Sequence, residues 1–425
     1  MKKVLIITYY WPPAGGPGVQ RWLKFCNYLP NYGVKPIVYI PENPDYPIVD
    51  QQIASEISQD IKVIKKPILE PYKIASFFNR KSSKSISKGV IPEESKQSFI
   101  QKLLLWVRGN FFIPDARKFW VKPSINFLEK EIPKLKVDAI ITTGPPHSVH
   151  LIGKGLKEKL NIKWYADFRD PWTSIGYHNK LKLTQRSQQK HLKLENQVLN
   201  TADHIIVTSY GTEKEFLKLT NQPIHVITNG YDAENFKEDV VLDKKFTIAH
   251  IGSLLSDRNP IVLWKVLSEI INENESFKQN FQLKLAGVLS EKVLNSLTEY
   301  NLLSYTNQLG YLTHSEAIKH QKSSQVLLII EIDSEETKQI IPGKVFECVA
   351  ANRPIIGIGP KDADFFKIIK MSNSGNVFSY KMYKELKKHV LYLYDKFSAQ
   401  QLVVNSNYTE QFSRENLTKQ LSKIL

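Results

Sequence analysis

Five stretches of this 425-residue chain gather residue types that can hold an anion or move a proton. The first, Ala14-Gly15-Gly16-Pro17-Gly18, follows an apolar run and Trp11-Pro12-Pro13 and leads into a helical pattern. A strand that ends in a glycine-rich turn and feeds a helix bares backbone N–H groups, so Gly15, Gly16 and Gly18 let an anion or a sugar approach the main chain. The spacing is not Gly-x-Gly-x-x-Gly, because position 21 is Arg21, and no Gly-Lys-Ser/Thr of a phosphate-cradling loop follows. A plain tight connection accounts for the same glycines. The second stretch is Pro342-Gly343-Lys344, with Glu347 one turn on. Amides at such a helix start favour a diphosphate, Lys344 adds a point charge, and Glu347 can accept hydrogen bonds from ribose hydroxyls. A surface helix with Val345, Phe346 and Val349 inward and Glu347 in water is the other reading.

The third stretch ends a strand at Gly252-Ser253 and carries Arg258 in the following loop, where a guanidinium can grip a phosphate with two donors or simply be solvated. In the fourth, Asp167, Arg169 and Asp170 crowd the end of a buried strand beside Trp172. Two carboxylates around an Arg can form a structural network, or orient a hydroxyl or a nucleophile. In the fifth, His147 and His150 follow a strand with no third ligand at metal spacing, so a metal site is not expected. His147 can donate to a phosphate or a hydroxyl, whereas His150 suits a helix face.

Elements that would position these groups recur along the chain. Apolar, β-branched runs at 2–10, 35–41, 138–145, 163–168, 203–209 and 224–230 alternate with helical patterns and predict a parallel sheet. A second series, at 246–254, 281–288, 306–312, 326–332 and 353–360, predicts another. The reading is an α/β protein of two doubly wound domains, 1–236 and 237–400, followed by a helical segment, 401–425, packing back on the first. Residues 72–118 break the rhythm. The basic stretch 79–89 reads as a mobile loop. After it, Ile100, Leu103, Leu104 and Val107 share one helix face near Lys102 and Arg108, as in a helix lying on a membrane or one covering a core.

A net charge of +16 and a pI near 9.4 attract anions, whether nucleic acid, acidic lipid or phosphorylated metabolites. No nucleic-acid module stands out and the charge is dispersed, so nucleic acid is not an expected partner. Two distant cysteines suit a reducing compartment, and Met1-Lys2-Lys3 runs straight into a strand-length apolar segment. These features predict a cytoplasmic protein with peripheral contact to an anionic membrane.

Taken in order, "PPAGGPGVQR", "ITTGPPHSVHLIG", "YADFRDPWT", "ITNGYD" and "PGKVFECVAANRPIIG" resemble the retaining glycosyltransferases of family 4 over nearly the whole chain, in the subgroup that works in bacterial surface polysaccharide assembly. The resemblance implies the GT-B architecture, two Rossmann-like domains facing a cleft. It implies a nucleotide-sugar donor held mainly by the second domain, and a glycan or lipid-linked acceptor held mainly by the first. By it, Glu347 holds the ribose, Tyr311 lies near the base, and the main chain at Ile341, Pro342 and Gly343 meets the diphosphate. Gly15, Gly16, Gly252 and Ser253 border the donor, and Arg258 and Lys344 take the phosphate charge. His147, Arg169 and Trp172 meet the acceptor, which Asp167 and Asp170 orient. Two departures stand out: Gln339 occupies the place of the family's first glutamate, and Ser253 that of its usual Arg. Neither a metal nor another cofactor is implied. The competing expectations are a sugar-nucleotide epimerase of similar architecture and a membrane-associated scaffold without catalysis.

Overall fold

A computed structural model describes residues 1–70, 99–179, 181–404 and 406–425. The basic stretch 79–89 and the side chain of Ile100 lie outside the described residues. The chain forms two compact units, Met1–Thr228 with Arg414–Leu425, and Asn229–Ser413. Sequence polarity put the division at 236/237; the units divide at 228/229, and residues 401–413 stay with the second.

The first unit is built on seven parallel strands: β1 (Lys2–Thr8), β2 (Val34–Pro41), β3 (Lys62–Lys66), β4 (Ala139–Gly144), β5 (Lys163–Phe168), β6 (His204–Val207) and β7 (Ile224–Val226). Their order is β3-β2-β1-β4-β5-β6-β7. Alternation along β1 divides the core. Val4 and Ile6 pack with Trp22 and Phe25 of the helix Pro17–Tyr28 and with Leu417 and Leu421 of the helix Arg414–Ile424. Leu5 and Ile7 face the other way, onto Trp120 and Leu128 of the helix Lys118–Leu135 and Ile152 and Leu156 of the helix Ser148–Leu160. Each such side chain contributes about 1.5–3 kcal/mol when fully buried. Helices on both faces are why these strands read as unbroken apolar runs.

The second unit carries six parallel strands, β8 (Phe246–Ile251), β9 (Phe281–Ala286), β10 (Thr306–Gly310), β11 (Val326–Ile330), β12 (Ile355–Gly359) and β13 (Gly375–Ser379), in the order β10-β9-β8-β11-β12-β13. Side-chain caps start some of its helices. Ser290 accepts from the Val293 amide, and Thr313 and Glu316 form a reciprocal capping box, each worth about 1 kcal/mol. Two strands were not expected from the sequence, β3 and β13. Both are edge strands, paired on one side and partly exposed, so neither needs a long apolar run.

In each sheet the strand order reverses once, between β1 and β4 and between β8 and β11. Open α/β sheets bind ligands beyond the strand carboxyl ends at such points. The glycine-rich loop after β1, His147 after β4 and Gly252 after β8 fall there, and the Asp167–Trp172 stretch ends β5, one strand further on.

Candidate functional site

At the reversal in the second unit, β8 is followed by Gly252 at φ 133°, and its neighbour β9 by Gly287 at φ 92°. A Cβ on Gly287 would stand 2.8 Å from Gly252 C and Ser253 N, so the two loops meet main chain to main chain. Lys344 opens the short helix Lys344–Ala350, and its ammonium lies 3.1 Å from His250 Nε2. His250 Nδ1 lies 3.0 Å from the Leu328 carbonyl, which can only accept, so Nδ1 carries the proton and the Nε2 lone pair faces the lysine. Burial holds His250 neutral, its pKa well below the ordinary value. The lysine stem is partly exposed, but its ammonium sits among buried groups, which lower its pKa to about 8. Its hydrogen-bond partner is His250, and no carboxylate pairs with it among the described residues.

Arg258 is differently placed. Its Nε and Nη2 meet the two oxygens of the buried Glu331, at the end of β11, at 3.1 and 3.3 Å. The fork expected to grip a phosphate is occupied by a carboxylate, and Lys344, which feels Glu331 without pairing with it, has no ion-pair partner among the described residues. Glu347 accepts from His314 Nε2 at 2.9 Å and from Gln321 at 3.4 Å. Ser253 Oγ accepts weakly from the Val288 amide at 3.4 Å. Gln339, Ile341, Pro342 and Gly343 are partly exposed, and Tyr311 is exposed.

In the first unit the three glycines of the opening loop have three different reasons. A Cβ on Gly15 would come 2.9 Å from Ile48 Cγ2, and the Gly15 amide donates to the Ile48 carbonyl at 3.0 Å. Gly16 has φ 110° with open space beside it, so its need is conformational. A Cβ on Gly18 would overlap Arg169 Nη1 at 1.6 Å. The guanidinium thus lies over the loop, held there by Nε donating to the Gly144 carbonyl at 3.2 Å. The space expected above Gly18 for a ligand belongs to Arg169, and above Gly15 to Ile48.

Asp167 is fully buried. It accepts the Trp22 indole N–H at 2.8 Å and pairs with Arg21 at 3.3 Å, which itself donates to the Thr228 carbonyl. This carboxylate bolts the first helix to β5 and does not face solvent. Asp170 is half-buried, with its pKa raised by burial against the opposing pull of Arg169. Glu195 receives the amides of Trp172 and Thr173 at 3.2 and 3.1 Å and so shapes the loop after β5. His147 is buried and stacked on Trp172, ring centres 5.1 Å apart. His150 Nδ1 lies 2.9 Å from Thr142 Oγ1, which accepts from Trp164, so the threonine donates to the histidine. Among the described residues no group of His, Cys, Asp and Glu could hold a metal ion.

Sequence reasoning missed His250, Glu331, Glu195, His178 and His191. His250 alone had a visible signal, a histidine inside the apolar run of β8.

The model of Glycosyltransferase Family 4 matches residues 89–235. No curated protein matches the chain. Among solved structures, sucrose-phosphate synthase from Thermosynechococcus elongatus aligns with a TM-score of 0.61 at 13% identity, covering 100% of this chain and 98% of that one. Anabaena HepE, solved with UDP and glucose, aligns at 0.61 and 12%, covering 100% and 99%. S. aureus TarM, solved as a G117R mutant with fondaparinux, α-GlcNAc-glycerol and UDP, aligns at 0.57 and 12%, covering 100% and 99%. The chain has the GT-B fold of two Rossmann-like units, and residues 89–235, most of them in the first unit, match Glycosyltransferase Family 4.

Proposed function

We propose that this protein is a glycosyltransferase that moves a sugar from a nucleotide-sugar donor to a glycan or lipid-linked acceptor, with retention at the anomeric carbon, in surface polysaccharide assembly. The observation that carries the reading is Lys344, an inward ammonium with a histidine lone pair behind it and no carboxylate paired with it among the described residues, at the strand reversal of the second unit. When the bond from sugar to diphosphate breaks, negative charge grows on the departing phosphate. A fixed cation aimed at that charge is a large catalytic term. Lys344 supplies it, with the main chain at 341–343 and at Gly252 beside it. Glu347 takes the ribose once His314 and Gln321 release it, and Gln339 offers the transferred sugar an uncharged hydrogen-bonding group. Asp170, with Arg169, orients the acceptor, and the leaving phosphate takes the acceptor proton. No metal has a part in this scheme.

The test is incubation with UDP-, GDP- and ADP-sugars in EDTA, with and without glycan acceptors. Transfer that needs acceptor supports the reading. Conversion of a donor sugar with no acceptor present means epimerisation, and absence of nucleotide binding means a scaffold.

The lysine also sets a pH dependence. Its folded pKa, about 8, lies below the ordinary 10.5, so between these values the folded protein has lost a proton that the unfolded chain keeps. Stability therefore rises with pH over that window while the phosphate loses its cation. Calorimetric affinity for UDP is expected to fall as pH passes about 8, and Lys344→Arg to flatten the fall because a guanidinium stays charged. An unchanged wild-type affinity up to about pH 10 would remove Lys344 from the phosphate site.

Membrane contact is part of the proposal. In the helix Phe99–Phe111, Leu105 is buried against Leu181, and Leu104 packs beside it. The face pointing out carries Lys102, Leu103, Trp106 and Phe111, with Phe119 and Lys118 next to it. Aromatic side chains with lysines at about 1 kcal/mol each suit an anionic bilayer surface. The double variant Trp106→Glu, Phe111→Ser is expected to float with phosphatidylglycerol vesicles at least about tenfold less than wild type. Equal flotation of the two proteins would discard this surface. Among the described residues no helix is long and apolar enough to cross a membrane.

A further inference from the structure

The helix Phe99–Phe111, where the sequence broke its strand–helix rhythm, walls a cavity of about 210 Å³ in the first unit. Gly109 makes this possible. A Cβ there would stand 2.6 Å from Leu183 Cδ2 and 2.7 Å from the Leu181 carbonyl oxygen, so the helix meets this segment at backbone distance. Asn110 fastens the contact, donating to the Lys182 carbonyl at 3.2 Å and accepting from the Thr184 amide at 2.7 Å. The same cavity is lined by His147, just past β4, and by His178 and His191.

The three histidines are 4%, 6% and 1% exposed. Neither ring nitrogen of His147 has a hydrogen-bond partner among the described residues, nor does His178 Nε2. His191 Nδ1 accepts the Trp172 indole N–H at 3.1 Å, so its own proton is on Nε2. The Gly109 carbonyl approaches that ring outside hydrogen-bond geometry. Burial keeps all three rings neutral, lowering the pKa of His191 to about 4. Each unmet buried polar atom costs about 1–3 kcal/mol. Three such rings around one cavity therefore call for an occupant that meets them.

The chemistry of the wall narrows the occupant. No metal-holding group exists among the described residues. The wall is close to balanced: Arg108, Arg117 and Asp115 line the cavity, Glu70 behind the wall pairs with Arg117 at 3.3 Å, and Arg169, which acts on His147, has Asp170 beside it. An anion gains little from such a wall. A neutral imidazole both donates and accepts, which is the pattern of a sugar hydroxyl. The volume lies below the roughly 300–1,000 Å³ of drug-sized pockets, enough for about one ring.

We propose that this cavity binds a single uncharged glycosyl ring of the acceptor, its hydroxyls paired with His147, His178 and His191. That the ring belongs to the acceptor rests on the transferase reading; that the cavity takes a neutral sugar does not. The test is saturation-transfer NMR on the full chain with methyl glucoside, methyl galactoside and methyl mannoside, and with glucuronate and inorganic phosphate as anionic probes. At least one neutral glycoside is expected to bind saturably, His178→Ala to weaken it about tenfold, and His178→Asn, which keeps a donor and an acceptor, to restore it. Melting curves check the fold, and His147→Asn replaces His178→Ala should the latter unfold. Binding that ignores the substitution, preference for glucuronate or phosphate, or no glycoside binding at all overturns the proposal. UDP titrated into the same samples separates the two readings: UDP binding without glycoside binding sinks the cavity alone, and glycoside binding without UDP binding sinks the transferase alone.

Discussion

Lys344→Met is expected to lower kcat/KM for transfer by about 10²–10³-fold, or roughly 3–4 kcal/mol, while the melting temperature stays level or rises. Methionine keeps the length of the stem and removes the charge. The charge is an electrostatic burden on the free protein, because burial strips its hydration and Arg258 repels it, while the nearby Glu331 is already paired with Arg258. It becomes favourable only when an anion arrives. The same ammonium thus opposes folding and supports binding, and the two readouts must move in opposite directions. His250→Phe leaves the charge but removes the lone pair that aims it, so its loss of kcat should fall between wild type and Lys344→Met. A Lys344→Met protein with wild-type turnover would end the phosphate role. One that melts much lower while binding UDP normally would make Lys344 a structural residue.

The second large effect is on stability. Asp167→Ala leaves the buried Arg21 guanidinium without its carboxylate and the Trp22 indole without its acceptor. Breaking a buried pair from one side costs about 3–5 kcal/mol. Urea unfolding followed by tryptophan fluorescence should show a lower midpoint, with the extrapolated unfolding free energy reduced by that amount. Asp170→Asn, three residues on and half-exposed, is expected to keep the wild-type midpoint and lose turnover. These two neighbouring carboxylates looked equivalent in "YADFRDPWT", and the pair of variants separates them. An Asp167→Ala protein as stable as wild type would refute the bolting role. Full turnover by Asp170→Asn with unaltered binding would refute the orienting one.

That pair shows where sequence reading stops. Asp167 belongs to β5 and Asp170 to the bend after it, so strand alternation fixes no direction for Asp170, and only packing decides which one meets the first helix. Arg169 shows the same limit. In the sequence it is a charge beside two acids. In the fold its guanidinium crosses to the space over Gly18, so two distant motifs become one structure.

The alternation of apolar runs with helical patterns was enough to predict two parallel α/β sheets, because strands buried on both faces must be apolar throughout and parallel strands must be joined by crossovers. It also set most strand positions, and it put the glycine loop, the Gly252 turn and Lys344 at strand or helix ends. The edge strands β3 and β13 escaped it, since half-exposed strands carry little pattern. Tertiary structure alone decided which charges are cancelled. Arg258 meets Glu331 across 73 positions and Lys344 meets His250 across 94, and no periodicity reports a contact between residues so far apart. The three-histidine cavity has the same origin. His147, His178 and His191 belong to separate elements, and what brings them together is the burial of the helices and loops around them.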